Sequence, residues 1–298
     1  MHRITVRIVC ALFSLVFATG LFAFGNSGHQ IVCHIALLEL DAADRAEVVR
    51  LATAYERPDG RHEHSFEDAC LFADEARRRA DNGQAGWEDF ADYENWHFFN
   101  LPRTSRVADP THCQHDCVLE GIDQDSTLLR DGADDQERSE GLIFLAHWIG
   151  DIHQPLHISF ADDRGGNRIK LSAQSKYSSD LHAVWDTGII SAAMRSAGLT
   201  DPFDYAVNLR NSINSAQRTT WLSSSKEQWA QESYDITLGP DVQYCRIKLT
   251  PFGQRCRPIG GQRTLTSAYQ LRFEHDIELR LKQAGVRLAN EIRKALHP

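Results

Sequence analysis

Histidine and aspartate side chains recur at a spacing of four residues in two segments of the chain. His147 and Asp151 form the first pair, and His182 and Asp186 form the second. Residues four apart lie on one face of a helix, so each pair can bind a common cation. Imidazole nitrogen and carboxylate oxygen are ligands of zinc, and no cysteine lies near either pair. The sequence therefore predicts zinc, although one such pair alone also fits a buried helix whose polar groups are hydrogen-bonded.

The residues after the first pair extend the same chemistry. Pro155 cannot continue a helix, so the chain can turn there and bring His157 back toward His147 and Asp151. Two divalent metals about 3.5–4 Å apart are the usual arrangement for hydrolysis of phosphate esters. Magnesium sites seldom contain several histidines. The pattern therefore indicates a zinc-dependent hydrolase of phosphate esters.

The first 23 residues have the pattern of a secretory signal peptide. Arg3 and Arg7 form its basic segment, and the apolar run 8–23 is too short and wrongly flanked for a spanning helix. A retained membrane anchor is the alternative. We predict cleavage after residue 23, export to the periplasm or the medium, and no membrane anchor afterwards. Residues 24–298 contain no linker, internal repeat or low-complexity run, which predicts a single domain.

The charge balance restricts how the protein could bind nucleic acid. The formal net charge is −9, and loss of Arg3 and Arg7 with the signal peptide takes it to −11. The densest basic segment is only the run 77–79. We therefore expect no broad basic groove of the kind that binds nucleic acid through many phosphate contacts.

Six cysteines remain after the signal peptide, and an even number in an exported chain predicts disulfides. Proximity in the sequence favours two pairs and leaves a third, so that the preferred bridges are Cys113–Cys117, Cys245–Cys256 and Cys33–Cys70. Other connectivities are possible. A cysteine zinc site is the alternative, but an oxidising compartment argues against it.

Apolar residues at helical spacing dominate the rest of the chain. They predict helices over 28–40, 65–79, 140–152, 181–194, 223–233 and 267–296, the second opened by a variant capping box at Ser65. Residues 168–171 follow Gly165 and Gly166 and predict an extended piece, so a short β-hairpin is expected near 165–171. The predicted fold class is mainly α in one domain.

Further motifs accompany the two His/Asp pairs in a fixed order. They are Phe24-Gly25-Asn26-Ser27-Gly28-His29, Ala73-Asp74-Glu75-Ala76-Arg77, Asn95-Trp96-His97-Phe98-Phe99-Asn100, Gly165-Gly166-Asn167 and the helix segment 280–289. Together they resemble the zinc-dependent single-strand-specific nucleases of fungi and plants (type I nucleases, also 3′-nucleotidases) and their bacterial relatives. The resemblance runs from residue 24 to the C-terminal helix. It implies the helical fold that this family shares with zinc-dependent phospholipase C.

The resemblance also implies a complete set of ligands for three Zn²⁺ ions. The first ion would be bound by Asp74, His97, His147 and Asp151, the second by His157, His182 and Asp186, and the third by His29, Asp151 and the α-amine and carbonyl of Phe24. The α-amine is available only if the signal peptide is removed after residue 23, and an ordinary α-amine can lose its proton to zinc. The family normally has Trp at this first position, but the ligands are backbone atoms, so Phe24 should preserve them.

The implied activity is hydrolysis of single-stranded DNA and RNA to 5′-phosphorylated products, and of 3′-nucleotides to nucleosides and phosphate. Asp74, Asp151 and Arg77 would be the catalytic side chains, with Arg77 neutralising charge on the phosphate. Phe98 would stack on a base, and Asn100 and Asn167 would contact the substrate. Asn100 stands where many relatives have Asp, which puts the base preference in doubt.

Two other functions remain open at this point. A zinc-dependent phospholipase C uses the same ligand plan, although its last ligand is typically Glu, whereas Asp186 stands here. An exported zinc-binding protein without catalysis is the second alternative, and Arg77 and Phe98 argue against it. No protein partner is predicted. The remaining histidines are expected to be surface, hydrogen-bonded or structural residues, namely His34, His62, His64, His112, His115, His153, His275 and His297.

Overall fold

Helices make up most of the structure, as the sequence predicts. The computed structural model describes residues 24–171, 180–242, 245–251, 253–257 and 267–298. The helices are α1 (Asn26–Glu39), α2 (Ala42–Ala54), α3 (Phe66–Ala69), α4 (Phe72–Asp81), α5 (Val118–Asp131), α6 (Asp135–Ile152), α7 (Leu181–Ala183), α8 (Ile189–Ser196), α9 (Pro202–Asn211), α10 (Ser215–Leu222), α11 (Lys226–Thr237) and α12 (Ser267–Leu296). The predicted signal peptide lies outside the described residues. None of the described helices is both long and apolar enough to cross a membrane.

Helix α6 is the centre of the fold. Its N-terminus is capped by Asp134, whose carboxylate accepts from Glu137 N at 3.0 Å, and every residue from Gly141 to Ile152 is buried. A helix that is apolar on all sides must be surrounded, and α2, α4, α5 and α12 pack around it. Gly141 allows the closest of these approaches, because a Cβ there would lie 2.5 Å from Leu129 N on α5.

The long C-terminal helix α12 closes the other side of the core. It packs on α1, α8 and α6 through a largely apolar face that also buries Arg280 and Arg287. Gly285 sets its approach to α1, since an added Cβ would lie 2.4 Å from Cγ2 of Ile35. Helix α1, which carries His29, is therefore fixed between α6 and α12.

Two short parallel strands bring distant parts of the site together. β1 (Phe99–Leu101) pairs with β2 (Ile158–Phe160), with Phe99 opposite Ile158. Each strand begins just after one of the predicted ligands, His97 or His157. The pairing therefore places these two histidines side by side, although they are far apart in the sequence.

The structure corrects four element boundaries, of which the first is the start of the predicted helix 140–152, which begins at Asp135. The predicted helix 65–79 is divided at Cys70 and Leu71 into α3 and α4. The predicted helix 181–194 is interrupted by a π-helix, Val184–Gly188, between α7 and α8. The predicted helix 223–233 begins later, at Lys226, because Ser225 caps it.

The predicted short β-hairpin near 165–171 falls partly outside the described residues. Residues 165–168 form turns, Lys170 makes an antiparallel bridge with Asp180, and residues 172–179 lie outside the described part of the chain, so the hairpin stays a prediction. The described β-hairpin lies elsewhere, with β3 (Arg246–Thr250) antiparallel to β4 (Gly253–Arg257). The tight turn at Gly165 and Gly166 instead packs against the site described below.

Two predicted disulfides are confirmed, Cys33–Cys70 and Cys113–Cys117. Cys245 is also disulfide-bonded, but the side chain of Cys256 lies outside the described residues, so that pairing stays a prediction. The Cys33–Cys70 bridge spans 37 positions in sequence and ties α1 to the break between α3 and α4. Closing a loop of this length contributes about 3–4 kcal/mol in the chain-entropy estimate.

Candidate metal centre

Three groups of buried histidine and aspartate side chains lie against one another in the core. They are Asp74, His97 and His147; His29, His147 and Asp151; and His157, His182 and Asp186, and within each group the potential ligand atoms lie within 4.8 Å of one another. These groups contain all eight side chains that the sequence analysis assigns to metal. The shared residue His147 shows that the first two groups adjoin.

Each group draws on several elements of the fold. His29 comes from α1, Asp74 from α4, and His147 and Asp151 from the buried face of α6. His97 ends the 3₁₀ segment Glu88–His97 before β1, and His157 ends the short 3₁₀ turn Pro155–His157 before β2. His182 lies in α7, and Asp186 lies in the π-helix, which inserts an extra residue into the turn. Such π-bulges occur often at functional sites.

Backbone carbonyls fix the orientation of three of the imidazoles. Nδ1 of His147 lies 2.7 Å from Cys70 O, Nδ1 of His157 lies 2.5 Å from His97 O, and Nδ1 of His182 lies 2.7 Å from Gly165 O. A carbonyl only accepts, so each Nδ1 donates its hydrogen. The lone pair of Nε2 is then left for a metal, the usual arrangement at metal-binding histidines.

Asp151 lies between two of the groups. Its Oδ1 is 3.4 Å from Nε2 of His29, and its Oδ2 is 3.0 Å from Nδ1 of His97 and 3.4 Å from Nε2 of His147. Burial would raise the pKa of Asp151, but attraction to His147 and His157 outweighs it and holds this pKa well below its usual range. Asp151 is therefore a carboxylate with one oxygen directed at each group.

The groups leave buried polar atoms without partners. Both ring nitrogens of His29, Nε2 of His97, Nε2 of His157 and Oδ1 of Asp151 make no hydrogen bond. A buried polar group without a partner costs about 1–3 kcal/mol, so an interior with five of them calls for a ligand. Burial also lowers the pKa of His97 to about 3, which keeps its ring neutral and able to donate a lone pair. These observations fit bound divalent cations.

Two further residues, which no sequence pattern indicated, support the groups. Gln154 is fully buried, and its Nε2 donates to Oδ1 of Asp186 at 2.5 Å while its Oε1 accepts from Leu156 N. Gly150 lies under His29, where an added Cβ would be 2.6 Å from Nδ1. The only sequence signal for them is position, since Gly150 directly precedes Asp151 and Gln154 lies between Asp151 and His157.

A cavity of about 260 Å³ opens beside the groups. Arg77, Phe98, Asn100 and Asn167, the four predicted substrate contacts, all line it, together with His97, His157 and His182. Nη2 of Arg77 also lies 3.2 Å from Oδ1 of Asp74, so this guanidinium borders both the cavity and the first group. Phe98 is only partly buried and lies outside the hydrophobic core.

The two asparagines are held differently. Asn100 lies in β1 opposite Ser159. Nδ2 of Asn167 donates to Arg164 O at 2.7 Å, so this amide stabilises the turn as well as lining the cavity.

The histidines that the sequence analysis left out stay outside the three groups. His153 is fully buried between two predicted ligands but faces away from them. Its Nδ1 bonds to Ile149 O at 2.7 Å, and its Nε2 accepts from Arg287 at 2.8 Å. His34 pairs with Glu67 at 2.7 Å. These side chains are structural, as the sequence analysis expects.

Comparison with known proteins gives this geometry a family. A family model described as S1/P1 nuclease matches residues 24–297. The chain belongs to the S1/P1 nuclease family. It is 30% identical over 297 residues to Endonuclease 2 of Arabidopsis thaliana, an alignment that covers 95% of this chain and 94% of the relative. The resemblance inferred from the motifs is thus confirmed.

Fungal members are similar over shorter stretches. Nuclease P1 of Penicillium citrinum is 27% identical over 205 residues, which cover 61% of this chain and 71% of that protein. Nuclease S1 of Aspergillus oryzae is 26% identical over 230 residues, covering 72% of this chain and 70% of that protein. The S1/P1 similarity therefore includes both plant and fungal nucleases.

Proposed function

We propose that this protein is an exported zinc-dependent nuclease that hydrolyses single-stranded DNA and RNA to 5′-phosphorylated products. We include 3′-nucleotides as substrates, which would yield nucleosides and phosphate. The observation that carries the proposal is the cavity itself. It is lined by His97, His157 and His182, which belong to two of the three buried His/Asp groups, and also by Arg77 and Phe98.

Three Zn²⁺ ions fit the donor atoms. Asp74, His97, His147 and Asp151 would hold the first, His157, His182 and Asp186 the second, and His29, Asp151 and the backbone of Phe24 the third. The two oxygens of Asp151 face different groups, which supports its sharing between two ions. Bound zinc lowers the pKa of water toward 7 and stabilises negative charge on phosphate oxygens.

The environment of residue 24 supports the contribution of its backbone. Phe24 is fully buried, and its ring lies edge-on to His29 at 6.3 Å between centroids. Gly25 N donates to Asp186 O at 2.9 Å, which connects this segment also to the group of His157, His182 and Asp186. A free α-amine at Phe24 requires removal of residues 1–23, so the metal site and export are parts of one proposal.

The chain's own side chains would perform the remaining tasks. Arg77 offers a planar guanidinium to phosphate oxygens, so it would position the phosphate and neutralise charge that develops on it. Phe98 would hold an unpaired base by stacking, which tolerates every base. Asn100 and Asn167, which also line the cavity, would orient the nucleotide. No basic groove is needed for this mode of binding.

The decisive experiment is a substrate panel for the zinc-loaded protein. Denatured DNA, RNA, duplex DNA, a 3′-nucleotide and phosphatidylcholine are assayed under one condition, with zinc per chain measured by elemental analysis. The proposal expects cleavage of the single strands and the 3′-nucleotide with about three zinc ions bound. Hydrolysis of phosphatidylcholine alone would indicate a phospholipase C. Zinc binding without any hydrolysis would indicate a zinc-binding protein.

Arg77→Ala is expected to lower kcat more than it raises KM. The guanidinium interacts most strongly with charge that develops in the transition state, and loss of one such donor typically costs about 2–4 kcal/mol. Steady-state kinetics on a single strand measure both parameters. Arg78→Ala is the matched control, because Arg78 is the exposed neighbour on α4 and does not line the cavity. Equal kcat and KM in the two variants would show that Arg77 does not contribute to catalysis.

Phe98→Ala is expected to weaken binding of single strands by about 1–3 kcal/mol, the loss for one stacked base. Wild type should cut duplex DNA far more slowly, because extruding a paired base costs a few kcal/mol. The measurement is kcat/KM on a single strand and its matched duplex. An oligonucleotide that is abasic at the cleaved nucleotide is the control, since the substitution should then have no effect. Equal wild-type rates on strand and duplex would contradict stacking as the basis of selection.

A further inference from the structure

A second arginine lines the cavity and has no assigned role. Arg164 is exposed, and its guanidinium makes no hydrogen bond or ion pair with any of the described residues. The other arginine of the cavity, Arg77, is paired with Asp74. A guanidinium without an acidic partner is available to bind an anion through two parallel hydrogen bonds. Arg164 is therefore the cation of the cavity that is free to take an additional phosphate.

The turn that carries Arg164 is fixed in place. Arg164 itself has a left-handed backbone (φ 54°), followed by Gly165 and Gly166 with φ of 59° and 86°. Oδ1 of Asp163 accepts from Gly166 N at 2.9 Å, and Arg103 binds the carboxylates of Asp162 and Asp163. The backbone at Arg164 is consequently preorganised, so binding of an anion by its side chain does not require ordering of the turn.

The same turn is joined to one metal group. Gly165 O accepts from Nδ1 of His182, and a Cβ at Gly165 would lie 2.4 Å from Leu156 O, so no side chain fits there. Arg164 is thus next to the His157, His182 and Asp186 group. Arg77 borders the Asp74 group instead. The two guanidiniums therefore flank different parts of the metal centre and suit two different phosphates.

We propose that Arg164 binds a phosphate next to the scissile one and so favours polynucleotides over 3′-mononucleotides, which have no such phosphate. The inference rests on the proposed function. Its physical basis is the charge balance of the chain, because a formal net charge of −9, or −11 without Arg3 and Arg7, repels a polyanionic strand overall. One unpaired arginine in the cavity then provides a large share of the attraction to the backbone.

The first test compares two substrates in two variants. Arg164→Ala should raise KM for an octathymidylate about tenfold, leave kcat within about twofold, and leave kcat/KM for thymidine 3′-phosphate unchanged. The slope of log(kcat/KM) against log salt for the octathymidylate should fall in magnitude by about one. Arg168→Ala is the matched control. It removes the same charge from an exposed residue four positions on, which bonds to Asp162 O and does not line the cavity. Arg164→Lys should restore part of the affinity, since it keeps the charge but not the fork of donors.

The second test identifies the phosphate. Neutral methylphosphonates are introduced one at a time beside the cleaved linkage of the oligonucleotide. At one position the wild type should lose about tenfold in kcat/KM while Arg164→Ala loses little, because the interaction is already absent. An equal loss on thymidine 3′-phosphate would mean that Arg164 contacts the scissile phosphate and would overturn the proposal. Indistinguishable Arg164 and Arg168 variants would also overturn it.

The proposal can be separated from the proposed function. Fluorescence anisotropy with a labelled, non-hydrolysable octathymidylate measures binding to the zinc-loaded protein without cleavage. Arg164→Ala should weaken this binding about tenfold relative to Arg168→Ala. If the zinc-loaded wild type cleaves neither substrate, the proposed function fails while this measurement still decides whether Arg164 binds a strand. Unchanged anisotropy in Arg164→Ala would exclude that role.

Discussion

Replacing Asp151 with Asn is expected to reduce kcat/KM on single-stranded DNA by at least about 10³-fold, since several kcal/mol of charge stabilisation would be lost. The carboxylate directs one oxygen at His29 and the other at His97 and His147. An amide has no negative charge, and its nitrogen cannot accept a metal. Zinc per chain should fall together with activity, which elemental analysis and steady-state kinetics would measure.

Asp44→Asn is the matched control for Asp151→Asn. Asp44 is also a buried carboxylate with a histidine partner, His297, at 2.7 Å, but it lies outside the metal groups. This variant should keep its zinc and its activity. Asp186→Glu should lose less activity than Asp151→Asn, because it retains a carboxylate and contributes to one ion only. Near-normal turnover with full zinc content in Asp151→Asn would refute the shared ligand.

Removing the metals is expected to lower Tm by roughly 10 °C or more. A ligand that binds only the folded state at about 1,000 times its Kd stabilises it by about 4 kcal/mol per site, and each kcal/mol shifts Tm by about 2–4 °C in chains of this order of size. The effect should be large here because the ligands join α1, α4, α6 and α7. Calorimetry with and without a chelator measures it.

Restoring individual metals makes the test specific. Zinc added back after chelation should recover both Tm and activity, whereas magnesium should recover neither, because it binds imidazole poorly. Asp151→Asn should show a smaller shift on chelation, since it begins with less metal. An unchanged Tm after complete removal of zinc would mean that metal binding by the three groups does not stabilise the fold.

Local periodicity in the sequence is enough to place one pair of the grouped side chains. His147 and Asp151 lie four residues apart on α6, and their burial follows from the apolar residues on every side of that helix. Asp74, His97 and His29 carry no such local signal. They were found through resemblance of the surrounding motifs, and their approach to Asp151 depends on packing between elements that are distant in sequence.

Other features depend on contacts that no local pattern encodes. The π-helix around Asp186 is stabilised where Gly25 N bonds to Asp186 O and where Gln154 binds the carboxylate. The break at Cys70 coincides with a disulfide and with the bond from His147 to Cys70 O. The turn at Gly165 precedes the antiparallel bridge of Lys170 with Asp180, and its glycine pair predicts a turn without indicating what the turn packs against. Its bond to His182 is a tertiary contact, and for the same reason Arg164 gave no signal in the sequence.

The spread of the ligands along the chain has a consequence for biosynthesis. The groups combine residues from His29 to Asp186, and the third group requires His157, His182 and Asp186 together. A polypeptide that has been synthesised only as far as α6 therefore contains the side chains of the first two groups but lacks the third group entirely. The N-terminal segment of a growing chain cannot assemble the full centre before nearly two hundred residues have been made, so hydrolytic competence must arise late, after translation of the central helices.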